Sequence, residues 1–159
     1  MENNQICDSH NNGYTNGYTS HRKEVSILLV EDDPDHVELT MNALKENGIG
    51  SMIHVAGDGE EALQYIYDND SARPDLILLD IRLPRIDGFE VLKRIKADPD
   101  LQTIPVVLLT TSSEDGDVIQ GYKYGANSYV TKPVRFKDYV EKIKNIKSYW
   151  IFTNTLPVS

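Results

Sequence analysis

Ile27-Leu28-Leu29-Val30-Glu31-Asp32-Asp33-Pro34 passes without a break from four aliphatic residues to three carboxylates and a proline. An aliphatic run of strand length with no polar alternation is what a central parallel strand needs, because helices cover both of its faces. Other runs end in the same manner. Leu76-Ile77-Leu78-Leu79 ends on Asp80, Val106-Val107-Leu108-Leu109 ends on Thr110, and Tyr129-Val130 leads through Thr131 to Lys132. As parallel strands of one sheet they would bring Glu31, Asp32, Asp80, Thr110 and Lys132 to its carboxyl edge, where open α/β sheets bind ligands. Three carboxylates, a hydroxyl and an ammonium in one place suit a hard divalent cation and a phosphoryl group.

Between these runs lie longer amphipathic segments, so from Val25 onward the chain reads as five repeats of strand then helix. Strands are expected at Val25–Val30, Ser51–Val55, Leu76–Leu79, Ile104–Leu109 and Ser128–Thr131, the second an edge strand because it carries His54. Asp33-Pro34 places a capping side chain before a proline at the first helical position, and Asn47-Gly48 supplies a stop. Asp58 with Glu61 and Asp87 with Glu90 have capping-box spacing, opening helices through about Tyr67 and Ala97. A fourth helix is expected from Ser113 to Tyr124, ending at Gly125. The fifth carries Phe136, Tyr139, Val140, Ile143, Ile146 and Trp150 as one apolar stripe. Its first turn follows Arg135, a poor capping residue, so that turn is expected to be loose or capped by other means.

The 159 residues predict one domain with a single core. Residues 1–23, rich in Asn, Gly, Ser and Tyr with a tandem Asn-Gly-Tyr-Thr repeat from Asn12 to Thr19, predict a flexible arm; 24–150 form the domain and 151–159 a tail. A net charge of −9 argues against nucleic acid or an anionic membrane as partner. Cys7, the only cysteine, excludes an intramolecular disulfide and a cysteine metal cluster and fits a cytoplasmic setting. The apolar runs fall far short of the roughly 20 residues that span a bilayer. His10, His21, His36 and His54 lack metal-site spacing, and surface or packing roles are expected for all four.

Each strand-end residue has an ordinary explanation when taken alone: a solvated loop and cap at Glu31-Asp32-Asp33, a turn at Asp80, a surface lysine at Lys132. Their joint placement does not. Three ionised carboxylates within about 5 Å cost on the order of 3 kcal/mol per pair at an effective dielectric near 20, a cost that a bound cation and Lys132 would offset.

With Leu78-Leu79-Asp80-Ile81-Arg82-Leu83-Pro84, Asp87-Gly88, Pro105-Val106-Val107-Leu108-Leu109-Thr110, Gly125-Ala126 and Tyr129-Val130-Thr131-Lys132-Pro133 in this order, the chain resembles the receiver domain of two-component response regulators from about Val25 to Trp150. The resemblance implies a doubly wound, flavodoxin-like α/β fold with five parallel strands in the order 2-1-3-4-5 and five helices. It implies that Asp80 accepts a phosphoryl group from a sensor histidine kinase in a Mg²⁺-dependent reaction. Asp32 would bind the metal directly, Glu31 directly or through water, with Asp80 and the Arg82 backbone carbonyl completing the protein's share. Lys132, Thr110 and the Thr111 backbone amide would hold the phosphoryl oxygens, and Thr110 and Tyr129 would act as the switch. Arg82 and Ser112 would flank the path of the hydrolytic water, and the Lys132–Pro133 bond would be cis. Such a protein is no enzyme beyond its own phosphorylation and dephosphorylation.

Too little chain follows Lys132 for a DNA-binding output domain, so the expected output is a protein contact. Tyr149, Trp150, Ile151 and Phe152 with Leu156 and Pro157 exceed what one buried stripe requires. The tail either folds back over the core or forms an interface, and a homodimer through the fourth helix, fifth strand, fifth helix and tail is predicted. Asn127-Ser128-Tyr129 and the Tyr149-Trp150 ending are similar to small single-domain regulators paired with cyanobacterial phytochrome-type kinases, which implies a light-sensing histidine kinase as partner. Two alternatives compete: a Mg²⁺-dependent phosphatase of the haloacid dehalogenase type, which has a second Asp where Arg82 stands, and an unphosphorylated receiver-like binding module, usually marked by loss of the acceptor or the lysine.

Overall fold

The computed structural model describes residues 24–46 and 51–158. The expected arm and the Asn47-Gly48 stop lie outside the described residues. The aliphatic runs are strands β1 (Val25–Val30), β3 (Leu76–Leu79) and β4 (Val106–Thr110), with β2 (Ser51–Ala56) and β5 (Ser128–Thr131) beside them. Helices α1 (Pro34–Lys45), α2 (Gly59–Tyr67), α3 (Gly88–Ala97), α4 (Asp115–Lys123) and α5 (Phe136–Lys147) alternate with them. All five strands are parallel in the order β2-β1-β3-β4-β5, the flavodoxin-like topology that the resemblance implies. The strand carrying His54 is an edge, and His54 stacks on Tyr65 with ring centroids 3.9 Å apart.

Because side chains alternate across a strand, the buried runs divide between two cores. Ile27, Leu29, Leu76, Leu78, Val107 and Leu109 face α1 and α5, whereas Leu28, Val30, Ile77, Leu79, Val106 and Leu108 face α2 and α3. Register then fixes the site. Val30 pairs with Ala56 and Leu79, and Leu79 with Leu108, so the residues following these strands emerge at one edge.

The caps form as the spacing predicts. Asp33 accepts from the amides of Asp35 and His36, Asp58 from Glu61 at 2.8 Å, and Asp87 from Glu90 at 3.0 Å. Arg135 makes no side-chain cap; its Nε instead donates to Asp138 at 2.7 Å, tying the first turn of α5 by charge. Glu114 likewise leaves α4 without a side-chain cap.

Beyond shifts of one residue at the ends of β2, β4 and α4, three boundaries differ from the sequence reading. Ile104 is not in β4, because its N–H donates to the Leu101 carbonyl in a turn and Pro105 has no N–H to give. α4 begins at Asp115 rather than Ser113, and its end at Gly125 follows from a φ of 98° there. After Lys147 the helix widens into a π-helical turn, Ser148–Thr153, closed by Asn154 N–H to Tyr149 carbonyl at 2.6 Å. The wider turn buries Trp150 while Tyr149 and Phe152 stay half-exposed, and Ile151 and Leu156 pack against the core beneath α1 and α5. No helix among the described residues is long and apolar enough to cross a membrane.

Candidate functional site

At the carboxyl edge β1 delivers Glu31 and Asp32, and β3 delivers Asp80. One carboxylate oxygen from each lies within 4.8 Å of the others. Glu31 and Asp80 are buried and Asp32 is exposed, so the cluster is open on one side. Lys132, following β5, is buried with them and donates to Asp80 Oδ2 at 2.9 Å, to a Glu31 carboxylate oxygen, and to His36 Nδ1 at 3.2 Å. An ammonium has three protons to give, and here all three have acceptors.

Asp80 is held at both oxygens: Oδ1 accepts the Arg82 amide at 3.1 Å, opposite the lysine on Oδ2. Its backbone is crowded as well. A Cβ on Gly88, the first residue of α3, would lie 2.0 Å from the Asp80 carbonyl oxygen. The start of α3 can therefore abut the Asp80 loop only because residue 88 has no side chain.

Burial pushes the Glu31 carboxyl above its ordinary range, against the opposing hydrogen bond from Lys132. Burial works to lower Lys132, but Asp80 and Glu31 beside it carry the ammonium above its usual value, so it is charged at neutral pH. One ammonium against three carboxylates leaves an excess of negative charge around hard oxygen donors. That donor set fits Mg²⁺ or Mn²⁺, which take one or two carboxylates and keep several waters.

Thr110 is fully buried at the end of β4, its hydroxyl accepting the Ser112 amide at 3.3 Å, and Thr111 beside it is exposed. Lys132 N–H donates to the Thr110 carbonyl at 2.7 Å, so β4 and β5 bring the hydroxyl and the ammonium to the same edge. Tyr129 is half-buried, its hydroxyl donating to the Ser112 carbonyl at 3.0 Å, and burial raises its phenol above the usual value. The Lys132–Pro133 bond is trans, as are all others among the described residues, where the resemblance implies cis. Before proline the two isomers differ by only about 0.5–1 kcal/mol.

Two residues of this neighbourhood were not placed at the site from sequence, although a packing role was expected for His36. His36 stacks on Tyr139, ring centroids 5.2 Å apart, and so carries a packing role as well as its contact with Lys132. Asp117 of α4 accepts from Arg82 Nη2 at 3.1 Å and from the Ser112 hydroxyl on the same oxygen. For His36 the only signal was its place three residues after the cap Asp33. For Asp117 it was an acid in the first turn of a helix, a common feature with many explanations.

The model of the response regulator receiver domain matches residues 27–144. Response regulator Rcp1 of Synechocystis sp. is 44% identical over 138 residues, 84% of this chain and 93% of that protein. The probable methanogenesis regulatory protein FilR2 of Methanothrix harundinacea is 42% identical over 134 residues, 82% of this chain and 86% of that protein. Among solved structures, the Mn²⁺-bound form of Rcp1 superposes with a TM-score of 0.82 at 42% identity, covering 84% of this chain and 99% of that one. The phosphorylated cyanobacterial phytochrome response regulator RcpA gives the same TM-score at 38% identity, covering 85% and 99%.

Proposed function

This chain belongs to the response regulator receiver domain family, and from that premise we propose that it is a phosphorelay protein whose Asp80 accepts a phosphoryl group from a sensor histidine kinase. The observation that carries this reading is the position of Asp80. It is buried at a strand end, oriented through both oxygens, and flanked by Lys132 and two further carboxylates.

An Asp80 carboxylate oxygen forms a bond to phosphorus as the bond from phosphorus to the kinase histidine breaks, its electron pair returning to the imidazole. Catalysis is then alignment and charge neutralisation. Glu31, Asp32, Asp80 and the Arg82 backbone carbonyl are the groups that would hold Mg²⁺, which when bound neutralises phosphoryl oxygens. Lys132 exchanges its bond to Asp80 for one to the phosphoryl group, and the Thr111 amide and Thr110 hydroxyl take the remaining oxygens. Drawing Thr110 toward the phosphoryl group vacates space behind it, into which Tyr129 turns, and the added charge becomes a changed surface.

Likeness to RcpA supports a phytochrome-type kinase as the donor. To the α4, β5, α5 and tail surface we assign a homodimer, supported by the exposed side chains Ile119 and Tyr122 of α4 and Tyr149 and Phe152 of the final turn. Light scattering with and without a phosphoryl mimic tests that assignment, and a monomer under both conditions rejects it.

Incubation with a small phosphodonor and Mg²⁺ should add one acid-stable, base-labile phosphoryl group to the wild type and none to Asp80→Asn. Equal labelling of both would sink the assignment. Chelation of the metal should suppress labelling. Because burial raises the Glu31 carboxyl, a proton competes for it at a higher pH than for an ordinary glutamate, so Mg²⁺ affinity should fall as pH drops from neutrality. Turnover of a small phosphate ester, lost in Asp80→Asn, would instead favour the dehalogenase-type reading, against which Arg82 stands.

A further inference from the structure

Three segments that are separate in sequence meet on one oxygen outside the acid cluster. Asp117 Oδ2 accepts from the Arg82 guanidinium at 3.1 Å and from the Ser112 hydroxyl. The Asp117 side chain is largely buried, 17% exposed, whereas that of Arg82 is 65% exposed. The carboxylate is thus the confined partner and the guanidinium the solvated one. Each partner also touches the acceptor site by its backbone: the Arg82 amide donates to Asp80 Oδ1, and the Ser112 amide donates to the Thr110 hydroxyl. The Ser112 carbonyl in turn accepts the Tyr129 hydroxyl at 3.0 Å.

We propose that Asp117 is a positioning residue that holds the Arg82 side chain away from the acceptor and thereby shortens the life of the phosphoryl group on Asp80. The inference rests on Asp80 being the acceptor. Phosphorylation replaces the single charge of the Asp80 carboxylate by the roughly −1.5 to −2 that a phosphoryl group carries, beside the Arg82 amide that bonds Asp80. Arg82 is then shared between that group and Asp117. While Asp117 keeps the guanidinium, the open side of the site admits water. In hydrolysis the water oxygen bonds to phosphorus, the bond from phosphorus to the Asp80 oxygen breaks, and its electron pair returns to the carboxylate; the protons of the water leave on inorganic phosphate and solvent. With no charge at position 117, Arg82 settles on the phosphoryl oxygens and covers the approach opposite the breaking bond.

Asp117→Asn removes the charge but retains an oxygen for the Ser112 hydroxyl, so the fold should survive, as a thermal melt beside wild type will show. The full chain is phosphorylated with a small phosphodonor and Mg²⁺, freed of donor, and followed for loss of label. Asp117→Asn should lengthen the phosphoryl half-life by about two- to fivefold, the range that a solvent-exposed ion pair supports. Asp117→Glu, which restores the charge, should stay close to wild type. In an Arg82→Ala background, which keeps the backbone carbonyl, Asp117→Asn should have no further effect. An unchanged or shortened half-life, or an equal change without Arg82, would overturn the proposal. Absence of label on wild type would remove the acceptor reading and this inference with it; a labelled wild type with an unmoved Asp117→Asn removes the inference alone.

Discussion

Helices α4 and α5 lie on either side of the same edge strand in the chain, and each begins at a residue whose side chain makes no capping bond, Glu114 in one and Arg135 in the other. They are held by different forces. α5 buries Tyr139, Ile143 and Ile146 against β1, β3, β4 and α1, and an aliphatic side chain of this kind contributes about 1.5–3 kcal/mol when fully buried. Of α4 only Gly121 is buried, and the first turn is tied by the polar contacts of Asp117. Apolar burial is indifferent to a charge placed nearby, whereas a guanidinium and a hydroxyl can be drawn elsewhere by one. If Asp80 is phosphorylated as proposed, the helix suited to respond is the one with little core beneath it, and the helix that follows supplies the fixed reference.

The strongest attempt to break this contrast is Ile143→Ala in α5. It should lower the unfolding free energy by about 2–5 kcal/mol in a urea titration, and a cost below 1 kcal/mol would mean that α5 is not anchored by its core. Next is Gly121→Ala, whose Cβ would sit 2.6 Å from Leu108 Cδ1 and 3.2 Å from a Tyr129 ring carbon. Overpacking of about 1–3 kcal/mol should exceed the roughly 1 kcal/mol gained in helix propensity. Amide exchange in α4 should then quicken while that in α5 does not; equal rates in the two helices would erase the difference. Tyr139→Phe leaves the buried Thr40 hydroxyl without the partner it has at 2.7 Å and should cost about 1 kcal/mol. Smallest is Ile119→Ala on the outer face of α4, expected to stay within about 0.5 kcal/mol because its side chain is half-exposed. A larger loss would reveal a core beneath α4 after all.

What the sequence made legible follows the same division. Ile27 to Val30 and Leu76 to Leu79 read as central strands because burial on both faces removes alternation, and Asp33, Asp58 and Asp87 read as caps because a cap is a local bond over two or three residues. The acid cluster was legible for a related reason: in-register parallel strands carry their end residues to a common edge. The Asp117 contact was not, since it joins residues 35 apart through an exposed guanidinium that could have pointed into solvent. His36 against Lys132, 96 residues away, was hidden likewise. The widened turn at Ser148–Thr153 had no local signature, because what selects it is the burial of Trp150 against a core assembled from distant strands.

Gly88 bears on how freely such a site can be rebuilt. The separation that matters is from the position of its missing Cβ to a backbone oxygen of Asp80, so no change of side chain elsewhere can restore the room. A library sampling every amino acid at position 88 should return glycine alone among clones that keep the Asp80 loop in place. The β3–α3 junction thus behaves as one indivisible part, and grafting Asp80 with its surroundings into another protein means moving the strand end and the helix start together.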